Sequence, residues 1–169
     1  MWFIHLRKYT TGARFGRHWS HLLCAKVGYS MNDPPGKPTK THTDLALGLL
    51  RKAASDWTVA QLCLNNQSFD GACFHAQQAA EKCLKAYLAA QNAHYDLTHN
   101  LRALVRDCIA IDSSFPQIDD EAKLLTPYAV ELRYDIGSWP PQEEAVIAVA
   151  NALKIRDFVL PRLPATLQM

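Results

Sequence analysis

The stretch from Phe74 to Leu88 limits most severely what this chain can fold into. Alanine, leucine, glutamine, glutamate and lysine dominate it, and it contains neither glycine nor proline. These residues favour helix. Cys73, Ala76, Ala80, Cys83, Leu84 and Tyr87 recur at helical steps, which puts them on one apolar stripe. Most are small, so another backbone can come close. His75, Gln78, Lys82 and Lys85 keep the same spacing on a second face. Glu81 stands four residues before Lys85, an order that stabilises a helix by about 0.2–0.5 kcal/mol. The stretch predicts a helix with a thin apolar seam and an ordered polar stripe.

The flanking sequence predicts further helices. Asp44 suits the N-cap of a first helix running to about Asn65, with Leu45, Leu49, Ala53, Trp57, Ala60 and Leu64 as its seam. Asn65–Ser68 is a turn and Asp70 a cap for the second helix, so the two should lie antiparallel. Thr98 is the expected cap of a third helix to about Ile111, buried through Leu101, Leu104, Val105 and Cys108. Asp119, Asp120 and Glu121 suit the first turn of a fourth, with Leu124, Leu125, Tyr128 and Leu132 along it. Pro127 should kink or split that helix. After a break at Asp135–Ser138, Pro140-Pro141 opens a last helix whose inner face is Val146, Val149, Leu153 and Leu160. No strand pattern or repeat competes. The fold class is all-α, an antiparallel four-helix up-and-down bundle with a fifth C-terminal helix.

Charge divides the chain. Of a formal net charge of +2, residues 1–30 hold +5 and residues 31–43 hold +1, which leaves −4 for the rest. Residues 1–43 read as a basic, disordered arm with a proline-rich linker, residues 44–163 as the bundle, and residues 164–169 as a tail. For the first thirty residues, an arm touching nucleic acid, a targeting segment and sequence outside the working protein are the alternatives. The body is no obvious phosphate-binding surface. The five cysteines show no Cys-x-x-Cys pair and read as small core residues in a reducing, cytoplasmic setting. No apolar run is long enough to span a membrane.

Ala76-Gln77-Gln78-Ala79-Ala80-Glu81-Lys82-Cys83-Leu84-Lys85-Ala86-Tyr87-Leu88 resembles the second-helix signature of HEPN domains, small helical prokaryotic proteins often encoded beside a minimal nucleotidyltransferase. Thr98-His99-Asn100-Leu101 with Leu104, and Tyr128-Ala129-Val130-Glu131-Leu132-Arg133-Tyr134, match the family in order. The resemblance covers roughly residues 44–163. It implies a homodimer, a nucleotide or RNA as ligand, and a minimal nucleotidyltransferase as partner in a toxin–antitoxin-like system.

The family's ribonucleases carry an arginine followed, four to six residues on, by a histidine. The cation holds the scissile phosphate while the imidazole moves protons. Arg133 matches the arginine, but no histidine follows His99 anywhere in the chain. Arg14 and His21 have a similar separation by chance, ahead of the bundle. The expectation is therefore a non-catalytic binding module without a cofactor. A ribonuclease that uses His99 instead, or a purely structural dimeric subunit, is the alternative.

The candidate ligand-binding residues are His75, Gln78, Lys82, Lys85, His99, Arg133 and Tyr134. A solvated helix face is the competing reading of the first four. His99 reads either as a ligand contact at a helix start or as a positioning histidine bonded to a carbonyl or carboxylate. Arg133 and Tyr134 suit a subunit interface or an internal ion pair. His94 and His99 lack a third metal ligand at sensible spacing.

Overall fold

The computed structural model describes residues 41–129 and 139–168. Among them are five α-helices: α1 (His42–Asn65), α2 (Phe69–Ala90), α3 (Leu101–Ile109), α4 (Asp119–Leu125) and α5 (Gln142–Val159). Short 3-10 turns lie at Phe115–Ile118, Thr126–Ala129, Leu160–Arg162 and Ala165–Leu167. Among the described residues there is no strand. The all-α expectation holds. The helices are unequal, however: α1, α2 and α5 are long, while α3 and α4 are short. Residues 1–40 of the arm and linker expected over residues 1–43, the break at residues 135–138, Leu132, Arg133 and Tyr134 lie outside the described residues.

Helix α1 starts earlier than Asp44. Thr41 is its N-cap: its Oγ1 accepts from the Asp44 N–H at 3.1 Å, and its own N–H donates to Asp44 Oδ2 at 3.0 Å. Asp44 thus serves as the third residue of a capping box. The α1 seam is also turned by one residue at its start, where Ala46 and Leu50 are buried and Leu45 is exposed.

The end of α1 explains the tight connection. Ser68 N–H donates to Cys63 O at 2.9 Å and Gln67 N–H to Leu64 O at 3.2 Å, a Schellman closure with Gln67 at a φ of 60°, the left-handed region. Helix α2 ends the same way: Ala93 N–H bonds Leu88 O at 2.9 Å and Asn92 N–H bonds Ala89 O at 3.0 Å, with Asn92 at φ 55°. Ser68, rather than Asp70, precedes the first turn of α2.

The two helices run antiparallel. Cys63 approaches Gly71 near the turn, Asp56 meets His75 and Lys82 half-way along, and Leu50 lines one cleft with Cys83 farther on. A Cβ on Gly71 would meet Cys63 Sγ at 3.0 Å, so glycine permits the close approach at that end.

Helix α2 is central rather than one of four equal members. The whole predicted seam is buried, and so are Ala72, Gln77, Ala79, Glu81, Ala86, Leu88 and Ala89. Alanine on several sides lets α1 and α5 both pack closely. Helix α5 turns Ala145, Ala148, Ala152, Ile155 and Val159 inward, while Val146 is exposed. Phe115 is wholly buried between Tyr87, at 4.7 Å between ring centroids, and Phe158, at 5.1 Å. It anchors the α3–α4 connection to the core. As expected at Pro127, α4 stops at Leu125 and tightens into a 3-10 turn.

Candidate functional site

The polar stripe of α2 is a half-buried network. On one side α1 covers it with Asp56; on the other the chain before α3 covers it with His99. Asp56 Oδ1 lies 3.0 Å from His75 Nδ1, and Lys82 Nζ donates to Asp56 Oδ2. Lys82 also donates to Gln78 Oε1 at 3.1 Å, and Gln78 Nε2 donates to Gln77 Oε1 at 2.8 Å. The Gln77 amide then donates to Glu81 Oε2 at 3.0 Å and to the His99 carbonyl at 3.1 Å. His99 Nδ1 meets the same Glu81 oxygen at 3.0 Å, and Lys85 Nζ donates to the other at 2.7 Å. One hydrogen-bonded path therefore joins the two histidines.

Two ammonium groups face two carboxylates along this path. The pairs are shielded: the side chains of Glu81 and Lys85 are 6% and 12% exposed. Buried charges persist only when paired and hydrogen-bonded, and these are. Burial is the largest influence on the Glu81 carboxyl and raises it. Hydrogen bonds from Lys85, His99 and Gln77, with the Lys85 charge, more than offset that and hold it below the ordinary range. Glu81 is thus a stable anion.

The structure brings together His75, Gln78, Lys82, Lys85 and His99 of the predicted set. Their stripe is no freely solvated face, and both lysines already have carboxylate partners. Three members were missed by sequence reasoning: Asp56, Gln77 and Glu81. Gln77, Glu81 and Lys85 form a four-residue series among alanines, the pattern of polar groups at a close helix contact. Asp56 carries no such local signal, since it reaches the site only because α1 folds back.

Helix α3 begins later than predicted. Asn100 is its N-cap and accepts from the Ala103 N–H at 3.2 Å. Thr98 Oγ1 accepts from the Asn100 N–H at 3.0 Å, and Thr126 Oγ1 accepts from the Leu101 N–H at 3.2 Å. The Asn100, Leu101 and Ala103 N–H groups at this helix start are therefore already engaged. His99 bonds a carboxylate, yet its side chain stays 56% exposed. Next in the chain, Asn100, Arg102, Arg106 and Asp119 line a polar pocket of about 180 Å³. Arg102 grips Asp119 through Nε at 3.1 Å and Nη2 at 2.9 Å; Arg106 is exposed and unpaired among the described residues.

A second concavity, a mostly apolar cleft of about 300 Å³ between α1, α2 and α5, includes Leu50, Trp57, Cys83 and Arg156. It shares no residue with the network. Arg156 stacks over Trp57 at 4.9 Å. Among the described residues no group of His, Cys, Asp or Glu is arranged to hold a metal ion, and no helix is long and apolar enough to cross a membrane.

The helix order and the α2 network can be set against known proteins. A family profile described as HEPN domain matches residues 46–163. The chain belongs to the HEPN domain family. It is similar to TT1696 from Thermus thermophilus, with 32% identity over 70% of this chain and 98% of that one, at a TM-score of 0.63. It also has the fold of ST0689, an archaeal HEPN homologue, at 20% identity and a TM-score of 0.56, over 75% of this chain and 100% of that one. No curated protein matches this HEPN chain significantly.

Proposed function

We propose that this HEPN chain is a non-catalytic binding module that holds a nucleotide or RNA where His99 adjoins the Arg102–Arg106 pocket. It acts as a homodimer with a minimal nucleotidyltransferase partner in a toxin–antitoxin-like system. The observations that carry the ligand reading are the half-exposed His99 imidazole, bound to Glu81, and the pocket that the next residue, Asn100, lines with Arg102, Arg106 and Asp119. Guanidinium groups suit phosphate oxygens, and Arg106 has its charge free among the described residues. His75, Gln78, Lys82 and Lys85 support the site from within, since the lysines are neutralised by Asp56 and Glu81. Arg133 and Tyr134 serve ligand or subunit contact in the same reading. The absence of catalysis rests on the sequence, in which no histidine follows Arg133.

One observation favours a second reading, a ribonuclease toxin. A carboxylate-held imidazole is how many enzymes orient a proton-transfer group, and Glu81–His99 has that form. A single experiment separates the two: purified protein incubated with labelled structured RNA, beside His99→Ala, Arg106→Ala and Arg133→Ala. Binding without cleavage, weakened by Arg106→Ala, supports the module. Cleavage lost in His99→Ala overturns it in favour of the toxin. Mass spectrometry of what co-purifies tests the partner, and an absent nucleotidyltransferase under native expression would count against that part.

A further inference from the structure

The directions of the hydrogen bonds around Glu81 go beyond binding as such. Lys85 is a pure donor and meets Oε1; the Gln77 amide nitrogen is a pure donor and meets Oε2. Glu81 is consequently an acceptor on both oxygens, and a third group at Oε2 must also donate. That group is His99 Nδ1, at 3.0 Å. In the neutral imidazole a proton on Nδ1 leaves Nε2 bare. Gln77 holds the same residue a second time, through its main-chain carbonyl at 3.1 Å, so ring and backbone are fixed from one helix face. With Glu81 almost wholly buried and the His99 side chain more than half exposed, the ring's remaining freedom lies on the solvent side.

We propose that Glu81 is a positioning residue that keeps the His99 proton on Nδ1, so that Nε2 is presented as a hydrogen-bond acceptor for a donor group of the ligand. This rests on the nucleotide or RNA reading above and narrows it. A bare Nε2 repels phosphate oxygens and takes an O–H or N–H. On a nucleic acid those groups are the ribose hydroxyl and base amino or imino groups; the phosphate falls to Arg106. A ribose hydroxyl is also what separates RNA from DNA.

Histidine-selective nitrogen NMR of the full chain, with His99 assigned by its loss in His99→Ala, tests the core of the proposal without any ligand. Neutral His99 is expected to show a protonated Nδ1 and an unprotonated Nε2. The opposite tautomer overturns the proposal and leaves the binding reading intact. Glu81→Gln supplies the second arm. Lys85 retains the amide oxygen, so the amide nitrogen faces both the Gln77 amide, which must flip to present its oxygen, and His99 Nδ1, which becomes the acceptor. The proton then moves to Nε2, and a folded Glu81→Gln protein with an unchanged tautomer overturns the role of Glu81.

Binding of a short oligouridylate RNA, an oligoadenylate RNA and the matching DNA oligomers, by fluorescence anisotropy, tests the ligand half. Wild type is expected to bind, and Glu81→Gln to lose about tenfold, the scale of one hydrogen bond. An RNA preference over DNA assigns the donor to the ribose hydroxyl; a preference for one base over the other assigns it to the base. Equal binding of all oligomers that is unaffected by Glu81→Gln overturns the acceptor role. No binding by wild type overturns the underlying ligand reading, while the tautomer result stands by itself.

Discussion

Gln77 and His99 are twenty-two residues apart in sequence, yet the Gln77 side-chain amide donates to the His99 main-chain carbonyl at 3.1 Å. The contact ties the entry of α3 to the middle of α2. Because Gln77 is fully buried, Gln77→Ala would leave that carbonyl without its donor and take from Glu81 one of its three hydrogen bonds. A loss of about 1–3 kcal/mol is expected, read as a lower urea midpoint. A variant with wild-type stability would mean that the network does not restrain this connection.

The Glu81–Lys85 pair should behave as a buried pair rather than a surface one. Lys85→Ala removes the ammonium and strands a shielded carboxylate, at a cost of about 2 kcal/mol. That exceeds the few tenths typical of an exposed pair one turn apart. Chemical denaturation of Lys85→Ala decides between the two magnitudes.

Acid should weaken the fold partly through the same residue. The folded Glu81 pKa lies below its ordinary value of 4.5, so its contribution is fully present above the unfolded value. It is lost as pH falls from that value through the lower folded one. Melting temperatures recorded from neutral pH into this acid range should decline, and Glu81→Gln should decline less steeply over the same interval. Parallel profiles would remove Glu81 as the source.

Gln67 occupies the left-handed position after α1, where a β-carbon is costly. Gln67→Gly should raise stability by about 0.5–1 kcal/mol, visible as a higher melting temperature. Asn92, in the matching position after α2, should gain less, since asparagine tolerates this region.

Thiol reactivity should follow burial. Burial chiefly, with the charges of Glu144 and Asp70, pushes the Cys73 thiol up to about 12. Burial also lifts Cys83 to about 12, against the opposing charge of Arg156, and raises Cys108 beyond the ordinary range. Of the described cysteines Cys63 alone is not buried. A thiol reagent on the native protein should therefore modify Cys63 before Cys73, Cys83 and Cys108, which should react only when urea opens the fold, as peptide mapping would report.

Periodicity determined the all-α class and the buried faces of α2 and α3, and the missing N–H of proline the interruption at Pro127. The class and the faces depend on residue spacing along a single helix, which a linear chain displays directly. Helix starts were less visible: Thr41 and Asn100, rather than Asp44 and Thr98, are the caps, because two neighbouring residues can each satisfy the end donors and the backbone geometry chooses. The seam of α1 depended on tertiary structure, since Leu45 and Ala46 are both apolar and only packing against other elements decides that Ala46 is buried and Leu45 exposed. The site shows the same division. The α2 stripe of His75, Gln78, Lys82 and Lys85 is written in one helix. Asp56, and the meeting of Glu81 with His99, exist only once α1 folds back antiparallel and the chain before α3 crosses α2. Charge pairing across elements has no linear period, and low-dielectric surroundings are what turn a stripe of polar residues into a directed network.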